Sequence, residues 1–326
     1  MMLALSAVLL CCLGTLQMMR RLLPGQLQYT DAYYLARIVL DKQKFPVNTT
    51  FVNEDNNNTT IRIQINKRLV GTHALQMWRL VDQKKYQHDP VLTHFMPSMS
   101  AEDRENYMVT LETFVRVCDQ SRLTYFLWSG SLLGAYRHHG FIPWDDDVDV
   151  VMNGSDWRKI KNVLSRVEGY ELLADSEVQW KFFQKAMAPV SDKTFKWPFI
   201  DIFFFTEDST YVWALTSAIK TELANRKDEI FPLKLRPFEN LYAAVPYKME
   251  DIVHRLYGFH ECYSSDFSHK YNVKMHRSKQ KIIPCTQLYS IFPFVFREKN
   301  PYSGNIIETL KQGNQTLKTV SVTQVI

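Results

Sequence analysis

The sequence predicts an α+β fold: a mixed sheet flanked by helices, preceded by an N-terminal apolar anchor and a stem. Three observations point there. Aromatic residues make up 13% of the 326 residues, with 20 Phe and 16 Tyr against 11 Gly, and ring side chains suit a pleated surface better than a coiled-coil seam. Short apolar runs of strand character alternate with stretches of helical period. With 46% hydrophobic and 22% charged residues, the chain can bury a sizeable core, which excludes collagen-like and wholly disordered readings. The excess of 39 Lys and Arg over 34 Asp and Glu leaves a net charge of +5 spread along the chain. That is too mild for a duplex nucleic-acid groove but compatible with an anionic substrate or a membrane surface.

Residues 1–19 carry no charged side chain and precede Arg20 and Arg21. As a helix this length approaches the thickness of a bilayer core, so the segment is expected to be a signal anchor or a signal peptide. Both arginines follow the apolar run, so the positive-inside rule leaves its orientation open. Sequons at Asn48, Asn57, Asn58, Asn153 and Asn314 point to a lumenal body. The expectation is a single-pass protein of the Golgi or ER membrane, secreted if the segment is cleaved. Residues 20–68 read as a polar stem, because Asn53 to Thr60 lacks any apolar period. Residues 69–100 form a helical lead-in with a candidate helix at Trp78, Leu80 and Val81. Residues 101–296 form the main domain, and 297–326 a polar tail expected to fray.

Within the main domain, Ser100 and Asp103 start a helix whose stripe is Leu111, Phe114, Val115 and Cys118. Leu123 to Trp128 is a compact apolar run, expected to be a buried strand ending in the turn Ser129-Gly130-Ser131. A short helix from Leu132 to Arg137 and a loop with Gly140 and Pro143 follow. Asp147 to Met152 alternates as a strand, and a helix from Ser155 carries Ile160, Val163, Leu164 and Val167. Val178 to Met187 and Phe199 to Phe205 are further strands. Glu222 to Glu229 reads as helix, Phe231 to Leu235 and Leu241 to Val245 as a small strand layer, and Asp251 to Tyr257 as the last helix.

Of the five cysteines, Cys11 and Cys12 sit in the apolar segment and Cys118, Cys262 and Cys285 outside it. No CxxC pair is present, which argues against a zinc ribbon. Cys262 and Cys285 are either a disulfide in an oxidising lumen or buried thiols. His254, His260, His269 and His276 between them match no short-loop zinc spacing.

The chemistry concentrates between Ser129 and Asp149. On a strand, Asp147 and Asp149 point to one face while Val148 and Val150 point into the core. Adjacent carboxylates repel unless a cation lies between them, and hard divalent ions such as Mg²⁺ or Mn²⁺ take such oxygen ligands. An EF-hand does not fit, because Val150 stands where its turn demands Gly. The Gly130-Ser131 turn, between strand and helix, lets backbone N–H groups approach a phosphate. Together these elements describe a phosphate-plus-metal site.

The run Gly130-Ser131-Leu132-Leu133-Gly134 through Gly140-Phe141-Ile142-Pro143-Trp144-Asp145-Asp146-Asp147-Val148-Asp149 resembles the signature of the LicD family, which includes bacterial phosphocholine transferases and the fukutin-type animal proteins. The resemblance covers residues from about 105 to 260. It implies a nucleotidyltransferase-like sheet and a third carboxylate on a later strand, which Asp201 within Phe199 to Phe205 supplies. A lone carboxylate among Phe and Ile agrees with that, being costly unless paired with a cation.

The resemblance further implies metal-dependent transfer of a phosphate-linked small alcohol, of the phosphocholine or ribitol phosphate type, from a CDP-linked donor to a glycan or glycoprotein acceptor. The catalytic set is then Asp146, Asp147, Asp149 and Asp201, with Asp147, Asp149 and Asp201 holding the metal and Asp146 or Asp201 taking the acceptor proton. Gly130, Ser131 and Arg137 bind the donor phosphates, and Lys181 and Lys185 are further phosphate candidates. No nucleic acid is expected. The alternative is a non-catalytic glycoprotein-binding or complex-organising protein of the same fold, which would have no reason to keep like charges crowded.

Overall fold

The computed structural model describes residues 59–80 and 89–322, apart from 177, 218, 259, 275 and 277–279. The apolar segment 1–19 and most of the stem lie outside the described residues. Among the described residues, no helix is long and apolar enough to cross a membrane.

The end of the stem belongs to the body. Ile61 pairs in parallel with Val167, and Ile63 and Ile65 pack on the core, because isoleucines at every second position put one face of an extended segment inward. Helix α1 (Lys67–Arg79) starts where the Asn66 side chain accepts a hydrogen bond from the Leu69 N–H at 3.1 Å. Helix α2 (Ala101–Ser121) starts with a reciprocal cap, Asp103 N–H to Ser100 Oγ at 3.1 Å and Ser100 N–H to Asp103 Oδ2 at 3.0 Å. Its stripe of Leu111, Phe114, Val115 and Cys118 is buried as the periodicity requires.

Strand β1 (Tyr125–Leu127) runs into helix α3 (Ser129–His138), and β2 (Val148–Asn153) into helix α4 (Trp157–Leu164). Strands β3 (Tyr170–Leu173), β4 (Gln179–Gln184), β5 (Phe199–Glu207), β6 (Tyr211–Ala214) and β7 (Ala224–Arg226) complete a seven-stranded sheet. Its path is β1-β2-β5-β4-β3, with β6 on β5 and β7 on β6. Only β2 and β5 are parallel among its named pairs. Phe114, Phe126, Trp128, Phe182, Phe199, Phe204 and Phe205 are fully buried in the main core.

The helix expected over Glu222 to Glu229 is replaced by β7 and a single helical turn, α5 (Lys227–Ile230). Pairing with the open edge of β6 outweighs local helix propensity there. A hairpin follows, β8 (Lys234–Phe238) and β9 (Leu241–Val245), and then α6 (Met249–Leu256). Beyond it, β10 (Glu261–Tyr263), β11 (Phe267–Ser268), β12 (Val273–Lys274) and β13 (Ile282–Pro284) form two small ladders, β10 with β13 and β11 with β12. Cys262 and Cys285 are disulfide-bonded, and Cys118 is a buried thiol.

The C-terminal stretch, read from its polarity as fraying, instead forms an antiparallel meander of β14 (Phe294–Lys299), β15 (Ile306–Gln312) and β16 (Gln315–Val322). Ladder hydrogen bonds and one apolar face per strand are sufficient there, and the outer face stays polar.

Glu239, in the turn between β8 and β9, ties this assembly together. It is 5% exposed. Its carboxylate accepts from Arg104, from His73 Nε2 at 2.8 Å and from the Phe141 N–H at 3.1 Å. Burial alone would raise its pKa, but the Arg104 charge and the His73 bond bring it down to about 2. Because that lies below the 4.5 of an unfolded glutamate, the stabilisation is complete above pH 4.5 and is lost as pH falls toward 2. Glu239→Gln is expected to cost about 3 kcal/mol at pH 7. Denaturant unfolding between pH 3 and pH 7 should show the wild-type advantage shrinking as the solution is acidified.

Candidate active site

The sheet register builds the site. In the parallel pair of β2 and β5, Asp149 stands directly opposite Asp201, and on the next strand Lys181 stands opposite Asp201. Three charged side chains therefore lie in one row on one face. Lys181 Nζ reaches Asp201 Oδ1 at 2.5 Å, and Gln179 Nε2 donates to the same oxygen at 2.9 Å. The lysine stem is held over the Phe199 ring, with Nζ 3.9 Å from its centroid. Asp149 and Asp201 are only 8% and 4% exposed.

Asp145 and Asp147 complete the cluster at the mouth of a cleft of about 530 Å³, lined also by Gly130, Arg137, Tyr257 and His269. Burial and the negative charge of Asp147 push the Asp145 carboxyl well up. Burial, with Asp201 and Asp146 nearby, raises Asp147 from 3.8 to about 7. Burial and the Asp147 and Asp201 charges raise Asp149 well above the usual range. The donor set is all oxygen, crowded and short of positive charge, which fits a hard divalent cation.

The tightest trio of ligand atoms among the described residues, all within 4.8 Å of one another, is Asp145, Asp146 and His269 rather than Asp147, Asp149 and Asp201. Asp201 is held instead on the β4 side by Lys181.

Asp146, expected from the sequence to be a proton acceptor, is placed behind the cleft with its oxygens engaged by the loop after β11. It is 1% exposed, and its oxygens accept from the His269 N–H at 3.0 Å, His269 Nδ1 at 3.0 Å, the Lys270 N–H at 3.1 Å and Ser268 Oγ at 3.2 Å. Burial would raise its pKa, but these bonds hold it below the usual range. Its chemistry is spent on clamping the loop after β11. That clamp turns His269 so that Nε2 lies 3.3 Å from Asp147 Oδ2 in the cleft. The sequence offered His269 only as an unmatched zinc candidate, because its partner lies 123 positions away.

The glycine turn is where it was expected, but folded into the first turn of α3. Ser129 adopts a left-handed φ of 48°, and a Cβ on Gly130 would meet Asp145 Oδ2 at 2.9 Å, so a larger residue there would displace that carboxylate. Gly134 lets α3 pack on the following loop, since a Cβ there would meet the Gly140 carbonyl oxygen at 2.4 Å. Ser131 lies beneath the cleft, 5% exposed, and its hydroxyl oxygen accepts from the Asp149 N–H at 2.8 Å. It locks α3 to β2 and keeps one hydroxyl proton to donate.

Arg137 is half-buried at the cleft wall. Among the described residues it has no carboxylate ion pair. Burial lowers its pKa to about 10, so it remains a cation at neutral pH. Lys185 lies apart from the cleft, its backbone carbonyl accepting from Lys196 Nζ.

The site thus sets paired aspartates on parallel neighbouring strands beside a glycine turn that opens a helix. Residues 122–248 match the family model described as LicD/FKTN/FKRP, nucleotidyltransferase domain. It is 41% identical over 63 residues to the lipopolysaccharide cholinephosphotransferase LicD of Haemophilus influenzae, covering 18% of this chain and 24% of that one. It is 26% identical over 152 residues to an uncharacterized protein of Rickettsia typhi, covering 46% of this chain and 44% of the relative. The chain thus spans less than half the length of these relatives. A solved lincosamide antibiotic adenylyltransferase, LnuA, in its lincomycin-bound form, is similar at 12% identity and a TM-score of 0.31, over 50% of this chain and 90% of that one.

Since Asp147 rises from 3.8 to about 7, the folded protein keeps a proton that the unfolded chain has released over that window. Metal-free protein should therefore lose stability as pH rises from 4 to 7. Asp147→Asn is expected to flatten that slope and to raise the metal-free melting temperature at pH 8 by about 3–6 °C. Mg²⁺ should stabilise the wild type and leave the variant unchanged, as thermal melts with and without the ion would show.

Proposed function

We propose that this protein is a divalent-cation-dependent phosphotransferase. It moves a phosphate-linked small alcohol, of the phosphocholine or ribitol phosphate type, from a CDP-linked donor to a glycan or glycoprotein hydroxyl in the lumen of the ER or Golgi. The observation that carries this reading is the register of Asp149 against Asp201 beside a cleft lined by Asp145, Asp147 and Arg137, a cation with no carboxylate ion pair among the described residues. The LicD match and the cholinephosphotransferase relative support the transferase class.

Arg137 and the backbone N–H groups of the Gly130 turn bind the donor diphosphate, a task that suits a planar guanidinium and a helix N-terminus. Asp147, Asp149 and Asp201 would hold Mg²⁺ or Mn²⁺, which offsets charge on the phosphoryl oxygens. Lys181 orients Asp201 through its contact with Oδ1. The acceptor hydroxyl attacks phosphorus, its oxygen forming the new P–O bond while the bond to CMP breaks. His269 takes the hydroxyl proton at Nε2, with Nδ1–H donated to Asp146 so that the imidazole keeps the right tautomer and direction.

The Cys262–Cys285 disulfide supports an oxidising compartment, and the sequon residue Asn314 is exposed in the turn between β15 and β16. Residues 1–19 would then serve as the membrane anchor.

Incubating the purified protein with a panel of CDP-alcohols and Mg²⁺, and following CMP release, tests the proposal. Asp147→Asn with Asp149→Asn should abolish release, a loss of at least about 10³-fold. His269→Ala should lower kcat by about 10²–10⁴-fold, and Asp146→Asn should approach it. A wild type that neither binds Mg²⁺ nor releases CMP from any donor would leave the glycoprotein-binding reading in its place.

A further inference from the structure

Arg137 occupies the last turn of α3, and the residues on either side of it are gripped by segments beyond the LicD match. Arg297 stacks on the Tyr136 ring, its carbon 3.6 Å from the centroid, and donates to the Tyr136 carbonyl. Glu308, 1% exposed, accepts from His139 Nε2 at 2.9 Å and from Arg236 and Arg297 at 2.8 and 2.9 Å. The contact closest to the guanidinium itself runs through His138.

The His138 ring is 3% exposed and lies against Phe294, centroids 4.5 Å apart, and Trp144 at 5.7 Å. Its Nδ1 is 2.7 Å from the carbonyl oxygen of Pro293, while Arg137 Nε donates to its Nε2 at 3.1 Å. A carbonyl oxygen can only accept, so the proton must sit on Nδ1. Nε2 is then left as a lone pair, the one form that can accept from arginine. Burial and the adjacent Arg137 charge press the imidazole well below its usual pKa, which keeps it neutral. Arg137 lines the cleft, and with Nε engaged one of its Nη atoms lies 3.7 Å from Cys285 Sγ.

We propose that His138, with its tautomer set by the Pro293 carbonyl, is a positioning residue that aims the Arg137 guanidinium end-on at the donor phosphates. The turn before β14 is thereby part of the donor site although it lies outside the matched domain. This inference rests on the reading of the cleft as a CDP-donor site.

The test measures CDP affinity in the presence of Mg²⁺ by calorimetry on the full chain. His138→Asn keeps a donor toward Pro293 but has no acceptor for Arg137, whereas His138→Gln places an amide oxygen near the Nε2 position. Arg137→Ala and His138→Asn should each weaken CDP binding about tenfold, and His138→Gln should stay within about threefold of wild type. The double variant Arg137→Ala with His138→Asn should bind no more weakly than Arg137→Ala alone, since both act through one contact.

Equal losses in His138→Asn and His138→Gln, or additive losses in the double variant, would show that His138 merely packs and would overturn the inference while leaving the donor site intact. Absence of CDP binding by the wild type would remove the donor reading and this inference with it. Nitrogen-15 NMR of the wild type needs no variant: the Nε2 of His138 should be unprotonated from pH 6 to 8, and an Nε2–H tautomer would overturn the proposal.

Discussion

Like charge held at short range is the constraint around which this protein is organised. Asp149 and Asp201 are register partners on parallel strands, Asp145 and Asp147 close over them, and Lys181 answers at Asp201. No arrangement of four carboxylates against one lysine is favourable by itself in a water-poor setting. The rest of the fold must hold it in place, through buried Phe and Trp side chains, the Ser131 tie between α3 and β2, and the left-handed turn at Ser129. Strain of this kind at a site is a common companion of function, because a rigid surround can present charge that only a ligand relieves.

The walls of the cleft come from two different parts of the chain. The glycine turn and the aspartates lie within residues 122–248, where the family match falls. The facing wall, from Leu256 to His269, follows that match and is stapled by the Cys262–Cys285 bond and by Asp146. Trp144 adds another tie by donating from Nε1 to the Tyr263 carbonyl at 2.8 Å. In the proposed reaction the first wall would hold the phosphates, while the second lies outside the family match.

How much of this could be read from the sequence depended on the range of the interaction. Strands β1, β2 and β5 announce themselves as apolar runs, so the row of Asp149 and Asp201 follows once the two strands are neighbours. The Ser100 cap was legible because its partner is three positions away. The hold of Asp146 on the His269 loop was not legible, because its identity as a carboxylate says nothing of a loop more than a hundred residues later whose donors it accepts. The meander from β14 to β16 was taken for a frayed tail because polar residues dominate its outer face, and strand pairing depends on partners that composition does not reveal.

The same difference of range bears on how the site works. In the proposed reaction the groups that would meet the substrate, Arg137, Asp147 and His269, line the cleft, while the groups beside them, His138, Asp201 and Asp146, lie buried at 3%, 4% and 1% exposure. A buried partner has few alternative hydrogen bonds, so it fixes direction where a solvated one would not. His138 and Asp146 each take their direction from segments after residue 260, Pro293 in one case and the His269 loop in the other. The C-terminal third is thus a second layer of the site, and a domain cut at the end of the family match would retain the carboxylates without the geometry that aims the groups around them.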